Sequence, residues 1–129
     1  MVRRFAIPST EPGPVTHEPT ATATARERYV RKLLELYVRT PGVLGRLRQA
    51  DRALARQLHD QRIPLYVIAD AFIVAAARRA RHNAFSTPLP AIRSLHYFVG
   101  IVRELLDRPL GPRDIEELRR ALGLSDLPR

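Results

Sequence analysis

After Pro64 the chain runs Leu65-Tyr66-Val67-Ile68-Ala69-Asp70-Ala71-Phe72-Ile73-Val74-Ala75-Ala76 before it reaches Arg78, Arg79 and Arg81. Leu65, Ile68, Phe72, Ala75 and Ala76 fall on one face of a 3.6-residue period. Val67, Ile73 and Val74 make the segment apolar nearly all round, and such a helix is stable only when protein surrounds it. Pro64 suits a first helical turn, where its missing N–H is not needed. The pattern predicts a central buried helix over residues 64–82, with other elements packed around it. Its arginines Arg78, Arg79 and Arg81 fall in the expected last turns, where cations favour the helix C-terminus.

The flanking segments read as helices too. Tyr29, Val30, Leu33, Leu34 and Tyr37 recur at helical spacing, and Thr40-Pro41-Gly42 stops that helix. Thr24 and Glu27 have the spacing of a capping box, which predicts a start at Thr24. A second helix is expected over 50–60 with Leu54 and Leu58 inward. Residues 83–90 read as a loop. A fourth helix follows, with Ile92, Leu95, Phe98, Val99, Val102, Leu105 and Leu106 inward, ending before Pro109. Gly111-Pro112 opens a short fifth helix with Ile115, Leu118 and Leu122 as its stripe and Gly123 as its C-cap. Aromatics are only 6% and Trp is absent, so the core is aliphatic, and no segment alternates with a period of two. The fold class expected is all-α: a compact bundle of about five helices. Residues 1–23, with Pro8, Pro12, Pro14 and Pro19 among small polar residues, read as a disordered, Pro-rich N-terminal leader that is dispensable for folding. The helical domain is then 24–129.

Charge is the second strong signal. The chain carries 22 basic and 13 acidic side chains, and 21 of the basic ones are Arg. Residues 24–93 hold 14 of the basic and five of the acidic groups, so the whole excess of +9 lies there. A cationic field of this kind attracts phosphate backbones or anionic surfaces, and the planar Arg fork suits phosphate. The candidate nucleic-acid contacts are Arg26, Arg28, Arg31, Lys32, Arg46, Arg48, Arg52, Arg56, Arg78, Arg79, Arg81 and Arg93. The competing account is a solvated face with intrahelical pairs such as Arg31–Glu35, or a surface for an acidic protein. Tyr29 and Tyr37 interleave with the arginines but sit on the apolar stripe, which assigns them to the core.

Catalytic chemistry finds little to build on. His17, His59, His82 and His96 do not pair at metal-ligand spacing, and no nucleophile motif or Gly-rich phosphate loop occurs. The absence of Cys excludes disulfides and thiolate metal sites and fits a reducing cytoplasm. No cofactor, no metal and no enzyme activity are expected. No apolar run approaches the roughly 20 residues of a membrane span, so the chain reads as soluble and cytoplasmic. A helix-turn-helix over residues 55–72 is weakened by its would-be reading helix, which offers almost no polar side chains to base edges.

Residues 63–105 carry a family resemblance. Ile63-Pro64-Leu65 leads into the small-residue-rich helix through Ala69, Ala71 and Phe72 to Arg78-Arg79. After a polar loop come Leu89-Pro90-Ala91-Ile92-Arg93-Ser94-Leu95-His96-Tyr97-Phe98 and Ile101-Val102-Arg103-Glu104-Leu105. This helix, loop and tyrosine-bearing helix resembles the C-terminal domain of DnaD-like primosome proteins. Ile92-Arg93-Ser94 and Leu105-Leu106 stand where that family has a polar, often Asn-rich loop and a terminal Trp. The resemblance implies DNA binding and contact with replication proteins, on a plasmid, phage or other mobile element. The functional expectation is a non-enzymatic DNA-binding accessory protein, with DNA favoured over RNA. Its alternative is a protein–protein interaction subunit whose basic face binds an acidic partner. For Ser94-Leu95-His96-Tyr97-Phe98 two readings stay open: a helix cap with core residues and a polar edge, or a recognition element.

Overall fold

The computed structural model describes residues 17–124, with side chains from residue 24 onward. Among these residues the chain forms five α-helices and no strand: α1 (His17–Arg39), α2 (Gln49–Asp60), α3 (Leu65–Phe85), α4 (Val99–Asp107) and α5 (Pro112–Leu122). A 3₁₀ turn, Leu95–Phe98, leads directly into α4. The all-helical bundle expected from the sequence is the one formed.

α3 is its centre. Every residue from Val67 to Ala76 is buried, Asp70 included. α1, α4, α5 and the 3₁₀ turn all pack on it, and α2 packs on α1 and on the 3₁₀ turn. Three aromatic rings from separate elements meet in the middle. Phe72 and Phe98 cross at 4.7 Å between centroids, and Tyr37 stands edge-on to Phe98 at 6.0 Å. Such tilted arrangements place the positive ring edge on the negative face. α5 opens on Pro112 and closes at Gly123 in the left-handed region, φ +70°. Ile115 buries its side chain fully, with Leu118 and Leu122 at the margin.

Several boundaries differ from expectation. α1 begins at His17, seven residues before Thr24, so Thr24 lies inside the helix and the Thr24–Glu27 capping box does not start it. Pro19 misleads as a breaker: it falls in the first turn, where no N–H is required, and the Ala-rich stretch behind it favours helix. α1 thus extends N-terminal of residue 24, and residues 1–16 of the expected leader lie outside the described residues. α3 continues to Phe85 instead of stopping near His82. Asn83 remains helical while its side-chain oxygen accepts the Leu89 amide at 2.9 Å, which folds the following loop back. Only His82 of the basic residues is in the last turn of α3, so Arg78, Arg79 and Arg81 stand earlier in the helix. The fourth helix is divided: Ile92 precedes it in extended backbone, and Ser94 caps the 3₁₀ turn by accepting the His96 amide at 3.1 Å. Of the two readings open for this segment, Ser94 fits the cap. Leu106 is 45% exposed, because the 3₁₀ turn shifts the face that α4 presents to the core.

Two loops are stitched together. Val43, after α1, and Ile92, before the 3₁₀ turn, form an isolated parallel bridge. The Ile92 amide donates to the Gly42 carbonyl at 2.7 Å and the Leu44 amide to the Ile92 carbonyl at 3.1 Å. Gly42 has φ +94°, and a Cβ there would lie 2.8 Å from the Nε of Arg79. Glycine is required for both reasons.

Candidate functional site

The Val43–Ile92 bridge carries distant arginines to one end of the bundle. Arg46 and Arg48 follow it on one side, and Arg93 follows it on the other. All three are exposed, and an Arg48 Nη donates to the Arg93 carbonyl. Arg52 and Arg56 continue along α2.

The sole acid in residues 40–59 is Asp51, and residues 86–98 hold none. Asp51 is fully buried. One oxygen accepts the Arg48 amide at 3.0 Å and the other the Leu95 amide, also at 3.0 Å. The carboxylate thus closes the first turn of α2 and holds the 3₁₀ turn against it. It faces inward, and the cationic surface outside it has no exposed acid from these two segments.

The other candidate cations divide by partner. Arg26 pairs with Asp60 at 2.6 Å. A hydrogen bond from His59, and after it the charge and hydrogen bond of Arg26, hold the Asp60 carboxyl below the usual range. Arg78 pairs with Glu104 across α3 and α4 at 2.5 Å, and that hydrogen bond lowers the Glu104 carboxyl and raises the Arg78 guanidinium. Lys32, not Arg31, approaches Glu35, at 3.9 Å. Arg79 is only 8% exposed: it donates to the Pro90 carbonyl at 2.8 Å and lies 5.8 Å from the Tyr97 ring centroid. Its position is that of a strut between α3 and the 86–94 loop, not of a surface contact. Arg28, Arg31, Arg46, Arg52, Arg56, Arg81 and Arg93 have no acidic partner among the described residues.

A groove of about 570 Å³ runs between α1 and α2. Val30, Leu34, Val38 and Leu47 form its floor, and Arg26, Arg31, Arg52 and Arg56 stand on its rims with Glu27 and Glu35. Tyr37 is core, as expected, and burial raises its hydroxyl. Tyr29 is half-buried; its hydroxyl donates to the Ile63 carbonyl at 2.7 Å, and desolvation pushes it up to about 12.

Sequence reading misses Asp51, Gly42 and the burial of Arg79. An acid three residues after Arg48 signals a helix start, and Gly after Pro signals a turn. Neither signal reveals the second segment each residue touches. No helix of the described residues is long and apolar enough to cross a membrane, and no three His, Asp or Glu among them gather as a metal site. No family model, curated protein or solved structure matches the chain.

Proposed function

We propose that the chain is a non-enzymatic nucleic-acid-binding accessory domain, acting in the cytoplasm on DNA in replication or on a mobile element, as its resemblance to DnaD-like proteins implies. One observation carries this reading. Residues 40–59 and 86–98 contribute Arg46, Arg48, Arg52, Arg56 and Arg93 to the surface, while their only acid is buried on backbone amides. A surface with that imbalance binds polyanions by displacing their counterions. The burial of α3 from Val67 to Ala76 removes the helix that a helix-turn-helix reader would insert, which favours phosphate contact over base readout.

The test is fluorescence anisotropy with labelled single-stranded DNA, duplex DNA and RNA across a salt series. Wild-type protein is expected to bind DNA with log K falling linearly in log salt. Replacing Arg46, Arg48 and Arg93 together with Gln should weaken binding similarly on unrelated sequences. It should flatten the slope by about 0.9 for each duplex phosphate that is no longer neutralised. No affinity for any nucleic acid at about 50 mM salt, where counterion release is most favourable, refutes the reading. The face then passes to an acidic protein partner.

A further inference from the structure

We infer that the groove between α1 and α2 is a docking site for an acidic amphipathic helix of a partner protein. The groove shares Arg52 and Arg56 with the cationic surface described above and adds an apolar floor to them; the proposal stands whether or not Arg46, Arg48 and Arg93 bind nucleic acid.

The floor is apolar and open: Val30, Leu34, Val38 and Leu47 line a groove of about 570 Å³. Nucleic acid offers nothing to fill such a floor except an unstacked base, and no aromatic side chain among the described residues lines it. A helix laid in a groove fills it with residues at i, i+3, i+4 and i+7. From Val30 to Val38 α1 rises about 12 Å, which seats two to three turns of a docked helix.

The rims set the charge of the occupant. The α2 rim presents Arg52 and Arg56, neither with an acidic partner among the described residues, and no acid from α2 lines the groove. The α1 rim is mixed. Arg31 stands between Glu27 and Glu35, Glu35 approaches Lys32, and Arg26 is held by Asp60. A docked helix is therefore expected to carry its acids on the edge over α2 and to tolerate a basic residue on the edge over α1. Residues 1–16 of the chain itself fit poorly. Their apolar cluster of Val2, Phe5 and Ile7 carries Arg3 and Arg4 within it, like charges for the α2 rim.

Three labelled peptides test this on the full chain: an amphipathic helix with Leu at groove spacing and Glu along one edge, its scrambled isomer, and its Lys-for-Glu counterpart. The acidic helix should bind at least tenfold more tightly than either control. Arg52→Glu/Arg56→Glu should lower its affinity at least tenfold and raise that of the Lys peptide. The Arg46, Arg48, Arg93 triple Gln variant should leave peptide binding near wild type. Equal binding of the amphipathic and scrambled acidic peptides overturns the proposal, since charge alone would explain it. Binding that appears only in Phe5→Asp/Ile7→Asp assigns the groove to the chain's own N-terminal segment and also overturns it. Loss of DNA binding in Arg52→Glu/Arg56→Glu with no peptide binding by wild type gives those arginines to nucleic acid instead.

Discussion

Replacing Asp51 by Ala removes the buried carboxylate that hydrogen-bonds the start of α2 to the 3₁₀ turn. Two acceptor contacts vanish, to the Arg48 and Leu95 amides, both 3.0 Å long. Arg48 is exposed, so water can replace the first, and the cost is that of a missing helix cap, about 1 kcal/mol. Leu95 is 1% exposed, and its stranded amide costs about 1–3 kcal/mol. The net loss is then about 2–4 kcal/mol, with Asp51→Asn intermediate because one carbonyl oxygen can still accept one amide. Urea unfolding followed by helical circular dichroism measures it. With a slope of about 1–3 kcal/mol per molar, the midpoint should fall by roughly 0.7–4 M. Asp107→Ala, at an exposed position, is the control and should stay within about 0.5 kcal/mol of wild type. A loss at Asp51 no larger than at Asp107 would refute the assignment of Asp51 as a tie. DNA affinity gives a second readout under conditions where the variant is folded. Net charge alone predicts tighter binding on removing an acid. Loss of the Arg48–Arg93 placement predicts weaker binding, which is the result expected.

Three further outcomes follow from the packing. Phe72→Ala should cost about 3–5 kcal/mol in the same urea titration, because its ring is fully buried against Tyr37 and Phe98; near-wild-type stability would overturn the central role of α3. Gly42→Ala should cost about 2–3 kcal/mol, combining a left-handed backbone with displacement of the Arg79–Pro90 hydrogen bond. Part of that cost should disappear in an Arg79→Gln background, and strict additivity would argue against the contact. Tyr29 has a folded pKa raised from 10.0 to about 12, so its share of stability is complete below pH 10 and is lost as pH rises through about 12. Absorbance titration of tyrosinate should show a late-ionising group that Tyr29→Phe removes; an unchanged titration would contradict the burial of this hydroxyl.

The sequence discloses what periodicity controls and hides what tertiary contact controls. α3 is plain because it is apolar on every side, and α5 is plain because Pro and Gly bracket it. Pro19 misleads because its effect depends on whether a helical turn precedes it. The split of the fourth helix is invisible because Leu95, Phe98 and Val102 satisfy an α-helical period as well as a 3₁₀ turn followed by α-helix. The charge excess singles out residues 24–93 but treats all their arginines alike. Arg78 and Arg79 differ from Arg81 through Glu104 and Pro90, which are distant in sequence. Asp51 looks like any first-turn acid until Leu95 arrives from more than forty residues away.

The bridge between Val43 and Ile92 has a consequence for when the cationic face comes into being. Closing a flexible loop of about 50 residues costs about 3.5 kcal/mol in its length-dependent part alone. Arg48 and Arg93, joined by the Arg48 hydrogen bond to the Arg93 carbonyl, are therefore neighbours only in the chain whose loop is closed. A polyanion touching both arginines acts as a cross-link across that loop and favours the closed chain over the open one to the extent that it binds the closed chain more tightly. At a hundred times its dissociation constant such a ligand adds at most about 2.7 kcal/mol to the native state. Occupancy of the face is thus also a brake on unfolding, and the exposed 86–91 loop should resist protease longest when the face is filled.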